Sequence, residues 1–135
     1  MPYVLKIEAL LDLESGQEIE ITERCFYGGN TIGAGDEAFL WFSGTVQQLA
    51  WSAQVTTVGD YIDGRVTVAV QLMLPSSPHA IRTSQLVPFR DIYDGSVIST
   101  LSKKLYKQSH NKIAFISDEE ALFLRAYFSQ SVCVN

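Results

Sequence analysis

The run Glu37–Phe42 (EAFLWF) is apolar on both faces once its leading acid is passed. Strand side chains alternate between the two faces of a sheet, so a strand that is apolar on both needs cover on both. That is the pattern of a strand in a closed barrel with something packed outside it. Ser43–Gln48, with Gly44, reads as a hairpin connection to a partner strand at Leu49–Thr57, and Gly59–Gly64 (GDYIDG) as a second, acidic turn. Arg65–Leu74 (RVTVAVQLML) is the clearest strand, with Val66, Val68 and Val70 on one side and Thr67, Ala69 and Gln71 on the other.

Upstream, Tyr3–Ala9 alternates well enough for a first strand that puts Val4, Lys6 and Glu8 on one face. Glu18–Thr22 (EIEIT) alternates cleanly as a half-buried strand with Ile19 and Ile21 inward, a short helix over Thr22–Phe26 being the alternative. Gly28–Gly35 is a loop in which Gly and Asn30 tolerate positive φ. Downstream, Pro75–Pro78 ends a strand, because proline cannot donate to a ladder. A helical turn is expected near Thr83–Leu86. Asp94-Gly95-Ser96 opens a helix over Val97–Lys107 with Val97, Leu101 and Leu105 as its apolar stripe. Lys112–Ile116 is a late strand, Ser117 and Glu120 form a capping box for a last helix, and Ser129–Asn135 adds an edge strand or frays.

The order is four or five strands, a helix, a strand and a helix, with no repeats and no βαβ alternation. We read an α+β fold: a small antiparallel β-barrel of five to six strands with two helices of the C-terminal half packed on it. A chain of 135 residues, 47% hydrophobic, fits a single domain over residues 1–135. No apolar run approaches the roughly 18 residues of a membrane span, and the N-terminus is too acidic for a signal peptide, so a cytoplasmic protein with no membrane partner is expected. Cys25 and Cys133 read as two free thiols, one bridge being the alternative. His79 and His110 lack metal-ligand spacing, and no metal or cofactor is expected.

Charge is unevenly spread beneath the net −5. Residues 1–63 carry two basic residues against ten acids, whereas residues 64–112 carry seven against two. The cluster Lys103, Lys104, Lys107, His110 and Lys112 either tracks a phosphate backbone or is a solvated helix face and its C-terminal cap. Phe26, Tyr27, Trp41, Phe42 and Trp51 form either a base-stacking cage or ordinary barrel core. No Gly-x-Ser-x-Gly, phosphate loop, zinc motif or Ser/His/Asp arrangement is present, so a binding module rather than an enzyme is expected.

The segments YGGNTIGAGDEAFLWFSG, LAWSAQVTTV, RVTVAVQLML and KLYKQSHNKIAFISDEEALFL, in that order, resemble the EVE domain of the PUA-like superfamily. The resemblance covers most of the chain from Tyr27 onward, with Tyr3–Ile7 as the opening strand. It implies a PUA-like barrel that holds a plain or modified, flipped base of DNA or RNA in an aromatic-walled pocket. Asn30 stands at the family's loop Asn and Ser43 at its strand-ending Ser. Tyr27, Trp41 and Trp51 would stack, Asn30 and Ser43 would read the base edge, and the Lys103–Lys112 region would meet phosphate. Two departures stand out: Trp51 occupies a position usually small in the family, and Lys6-Ile7-Glu8-Ala9 replaces the opening Trp-rich segment of many members. The alternative is a protein-interaction or small-ligand domain of the same fold with no nucleic-acid activity.

Overall fold

The computed structural model describes residues 1–44, 47–108 and 110–129. Six strands, β1 (Pro2–Glu8), β2 (Glu18–Phe26), β3 (Glu37–Ser43), β4 (Gln48–Ile62), β5 (Arg65–Pro75) and β6 (Lys112–Phe115), close into a barrel. Their spatial order is β1-β3-β4-β5-β2-β6. Three helices follow β5 in the chain, α1 (Thr83–Leu86), α2 (Val97–Tyr106) and α3 (Asp118–Ser129), the first a single turn. No helix among the described residues is long and apolar enough to cross a membrane.

The barrel is mixed, not antiparallel as the strand order led us to expect. β1 pairs in parallel with β3 and antiparallel with β6, and β2 pairs in parallel with β6. The reason is topological. β1 and β2 are neighbours in sequence but not in space, because β6 inserts between them; alternation reports which faces are buried, not which edges meet. Two further boundaries differ. β2 continues as strand to Phe26 rather than ending at Thr22, and β4 runs through the acidic stretch to Ile62. The turn is reduced to Asp63-Gly64, both at positive φ (53° and 77°), as a two-residue hairpin loop requires.

The two-faced pattern of β3 is explained by two cores. Leu40 and Phe42 point into the barrel, with Tyr3, Leu5, Ile7, Ile21, Val68 and Val70. Phe39 and Trp41 point outward beneath the helices, with Val4, Leu49, Leu101, Leu105 and Phe128. Ser96 caps α2, accepting from Ser99 N at 3.3 Å. Ser117 and Glu120 close the expected capping box on α3. The Glu120 carboxylate is buried and also takes hydrogen bonds from Lys104 Nζ and Thr100 Oγ1, each at 2.8 Å, so it ties α2 to α3.

Lys6 and Lys112 lie inside, each about 1% exposed. Lys6 Nζ donates to the Leu105 carbonyl at 2.9 Å and sits 4.0 Å from the centre of the Tyr106 ring. Lys112 Nζ donates to the Lys104 and Gln108 carbonyls, both at 2.8 Å. The two ammonium groups therefore meet the C-terminal end of α2, where unpaired carbonyls and the helix dipole favour cations. Burial still lowers both pKa values from 10.5 to about 8, with Lys112 adding repulsion at Lys6. Cys25 is a free thiol that burial shifts upward; Cys133 and the tail expected as an edge strand lie outside the described residues from 130 onward.

Candidate functional site

β6 is four residues long, and that shortness shapes the site. It bridges β1 only over Tyr3–Lys6 and meets β2 only at Cys25 and Phe26. Beyond Lys112 the ends of β1 and β2 separate, and two clefts open there. One, of about 470 Å³, is lined by Glu23, Arg24, Phe26, Arg65, His110 and Asn111. The other, of about 180 Å³, lies between Ile7–Glu8 and Glu20–Glu23. Glu23 lines both.

The larger cleft combines three kinds of group. Phe26 and His110 stack at 5.9 Å with their planes 14° apart. The Ser43 hydroxyl lies 2.8 Å from Asn111 Oδ1 and 3.0 Å from the Ile7 carbonyl, so the strand-ending serine fixes the neighbouring amide. Glu23 has the inward parity of Ile19 and Ile21 on β2. Burial raises the pKa of its carboxyl, Arg65 opposes that shift and Glu8 reinforces it. A stacking face, a held amide, a carboxylate and two arginines thus surround one opening.

Tyr27 and Asn30 lie on the loop after β2, and neither lines this cleft. Tyr27 is about half exposed, with φ of 50°, and Gly28 follows at 83°. Two successive left-handed residues turn the chain into the 3-10 turn Gly29–Thr31. Gly29 lies so close to β6 that a Cβ there would fall 2.0 Å from the Ile113 carbonyl oxygen. Thr31 Oγ1 and Tyr3 Oη, 2.6 Å apart, pin the other end of the turn. The Lys112 ammonium lies 5.4 Å from the centre of the Phe26 ring and 5.9 Å from that of Tyr27, which brings the loop and the cleft together. Asn30 is exposed, and its amide makes no hydrogen bond among the described residues.

Other expected site residues lie elsewhere. Trp41 is fully buried and its Nε1 donates to Tyr106 Oη at 2.6 Å, so it is a core residue with no face to offer a base. Trp51 is half-buried against the barrel interior and lines neither mouth cleft. The lysines of the basic cluster each have a partner within the protein. Lys112 is buried on the end of α2, and Lys104 is paired with Glu120. Lys103 donates to the Ile92 carbonyl and sits over the Tyr93 ring, while Lys107 is held by Asp91 and Tyr93 Oη. Of that group His110 alone lines the mouth. Sequence reasoning missed Glu23, Arg24, Arg65 and Asn111. The signal for the arginines was the register of β2 on β5, which requires β2 to reach Arg24.

A closed, mixed six-stranded barrel with its helices in the C-terminal half is the EVE/PUA-like fold, and this chain has it. Among solved structures it is similar to human THYN1 in complex with 5-methylcytosine-containing DNA, with a TM-score of 0.63 over 93% of this chain and 95% of that one. Sequence identity is 13%, so the likeness is one of fold. No protein-family model and no curated protein matches the sequence.

Proposed function

We propose that the chain is a nucleic-acid-binding module, not an enzyme, and that it receives an extruded base, plain or modified, in the Phe26–His110 cleft. The observation that carries this reading is the convergence on one opening of an aromatic stack, the Ser43-held Asn111 amide and the Glu23 carboxyl. Extruding a base costs a few kcal/mol, so a receptor must offer both stacking and edge hydrogen bonds. The cleft offers both, and its volume of about 470 Å³ is in the range of small-ligand sites. The DNA carried by the THYN1 structure supports the choice of ligand class.

A second reading, a protein-docking domain, is favoured by a separate cleft of about 390 Å³ between Gly35, Glu37, Ser52–Gln54, Met73 and Leu74, where Met73 and Leu74 are about half exposed. The test is a salt-titrated binding series on DNA and RNA oligonucleotides with and without 5-methylcytosine. Base capture predicts binding at low salt that falls roughly ten- to a hundredfold in Phe26→Ala, as expected for one lost stacking partner. No binding at low salt, or equal binding by wild type and a folded Phe26→Ala, refutes it.

A further inference from the structure

Arg24 on β2 is the direct cross-strand partner of Arg65 on β5. Like charges set opposite each other weaken an antiparallel pair. Among the described residues, neither arginine has a carboxylate within ion-pair distance, although each strand carries or borders acids. Both side chains line the mouth cleft beside Phe26 and His110. The adjoining turn packs against them: Cys25 N donates to the Gly64 carbonyl at 3.1 Å, and a Cβ on Gly64 would lie in ordinary contact, 3.5 Å from Arg24 Nη1. The lysines expected to meet phosphate have partners within the protein. The arginine pair is thus a cation site at the opening held by no ion pair among the described residues, with the Glu23 carboxyl acting on Arg65 only at longer range.

We propose that Arg24 and Arg65 form a clamp for one phosphodiester of the strand whose base enters the cleft. The inference deepens the base-capture reading and rests on it. A guanidinium is a planar fork of donors matched to phosphate oxygens, and two forks facing one anion turn a destabilising pair into a binding site. The clamp also accounts for how a chain of net −5 approaches a polyanion: the cations that count are few, local and beside the pocket.

The experiment measures affinity by fluorescence anisotropy on a labelled single-stranded oligonucleotide and on a duplex, each with and without 5-methylcytosine. Salt is varied between about 50 and 200 mM, and wild type, Arg24→Gln, Arg65→Gln, Lys107→Gln and Phe26→Ala are compared. Each arginine variant is expected to reduce the log–log salt slope by about 0.7 to 1 and to weaken methylated and plain probes by the same factor. Lys107→Gln is expected to keep the wild-type slope, and Phe26→Ala to keep the slope while losing affinity. Thermal midpoints of the arginine variants at or above wild type show that the fold is intact. Retained binding with unchanged slopes in both arginine variants overturns the clamp and leaves base capture standing. Phe26→Ala that binds like wild type overturns base capture, whatever the slopes. A wild type that binds neither probe at about 50 mM salt overturns both.

Discussion

Gly29→Ala is the sharpest test of how the site is held. The glycine has no positive φ, so the substitution leaves backbone preference aside and probes contact alone. An added Cβ would sit 2.0 Å from the Ile113 carbonyl oxygen and 2.7 Å from its carbon, both backbone atoms of β6 that cannot rotate away. Restoring an ordinary contact of 3.4 Å requires the turn and β6 to part by about 1.4 Å. Overpacking of this kind costs about 1–3 kcal/mol. The movement also strains the bond between Thr31 Oγ1 and the buried Tyr3 hydroxyl, worth about 1 kcal/mol. The expected loss is about 3 kcal/mol, a fall in the urea midpoint of roughly 1–3 M. Tryptophan fluorescence reports it, because Trp41 is fully buried and Trp51 packs against the barrel interior. Gly33→Ala is the matched control: its Cβ would meet Asp36 Oδ2 at an ordinary 3.7 Å, and a change within about 0.5 kcal/mol is expected. If the two variants unfold at the same urea concentration, Gly29 is not wedged against β6 and the account of how Tyr27 is positioned fails.

Two other predictions concern buried charge. Lys6 and Lys112 titrate near 8 in the folded protein and at 10.5 in the unfolded one, so between those values the unfolded chain binds more protons and stability rises with pH. The full difference corresponds to about 3 kcal/mol per lysine, of which the span from about pH 7.5 to 9.5 samples about 2. Urea midpoints at about pH 7.5 and 9.5, below the range of tyrosine ionisation, should increase; a flat or falling trend contradicts the burial of these ends. Glu120→Ala removes the acceptor shared by Lys104, Thr100 and the Ser117 amide and should cost about 2–4 kcal/mol by urea unfolding, whereas a loss below about 1 would mean that the α2–α3 tie contributes little.

What was legible in the sequence was whatever alternation and capping encode locally. β3 shows both of its faces to apolar neighbours, and its EAFLWF pattern says so. The Ser117–Glu120 box forms as its spacing requires. Parity puts Lys6 on one face of β1 with Val4, and that shared face lies beneath the helices. The burial of Lys6 was not legible, because it depends on the last carbonyls of α2, some hundred positions further along the chain. The same holds for Lys112, whose solvent-facing composition disguises a helix cap. Closure by β6 was hidden because four residues carry too little pattern to reveal which strands they join. The arginine pair was hidden for a related reason. The EIEIT alternation seems to stop at Glu23 only because Glu23 faces inward as a carboxyl, so β2 looks shorter than it is.

The short sixth strand has a further consequence, in the order of synthesis. Val4 pairs with Ala114, 110 positions later. At about 5–20 residues per second, β1 waits on the order of 5 to 20 seconds on the ribosome before the strand that closes the barrel is translated. During that wait β1 and β2 each present an open edge, the kind of surface on which nascent chains mispair. Lys6 on one edge and Glu20, Glu23 and Arg24 on the other put charge on both exposed edges. Residues that later cap a helix and furnish the mouth therefore first serve as gatekeepers of a half-made barrel.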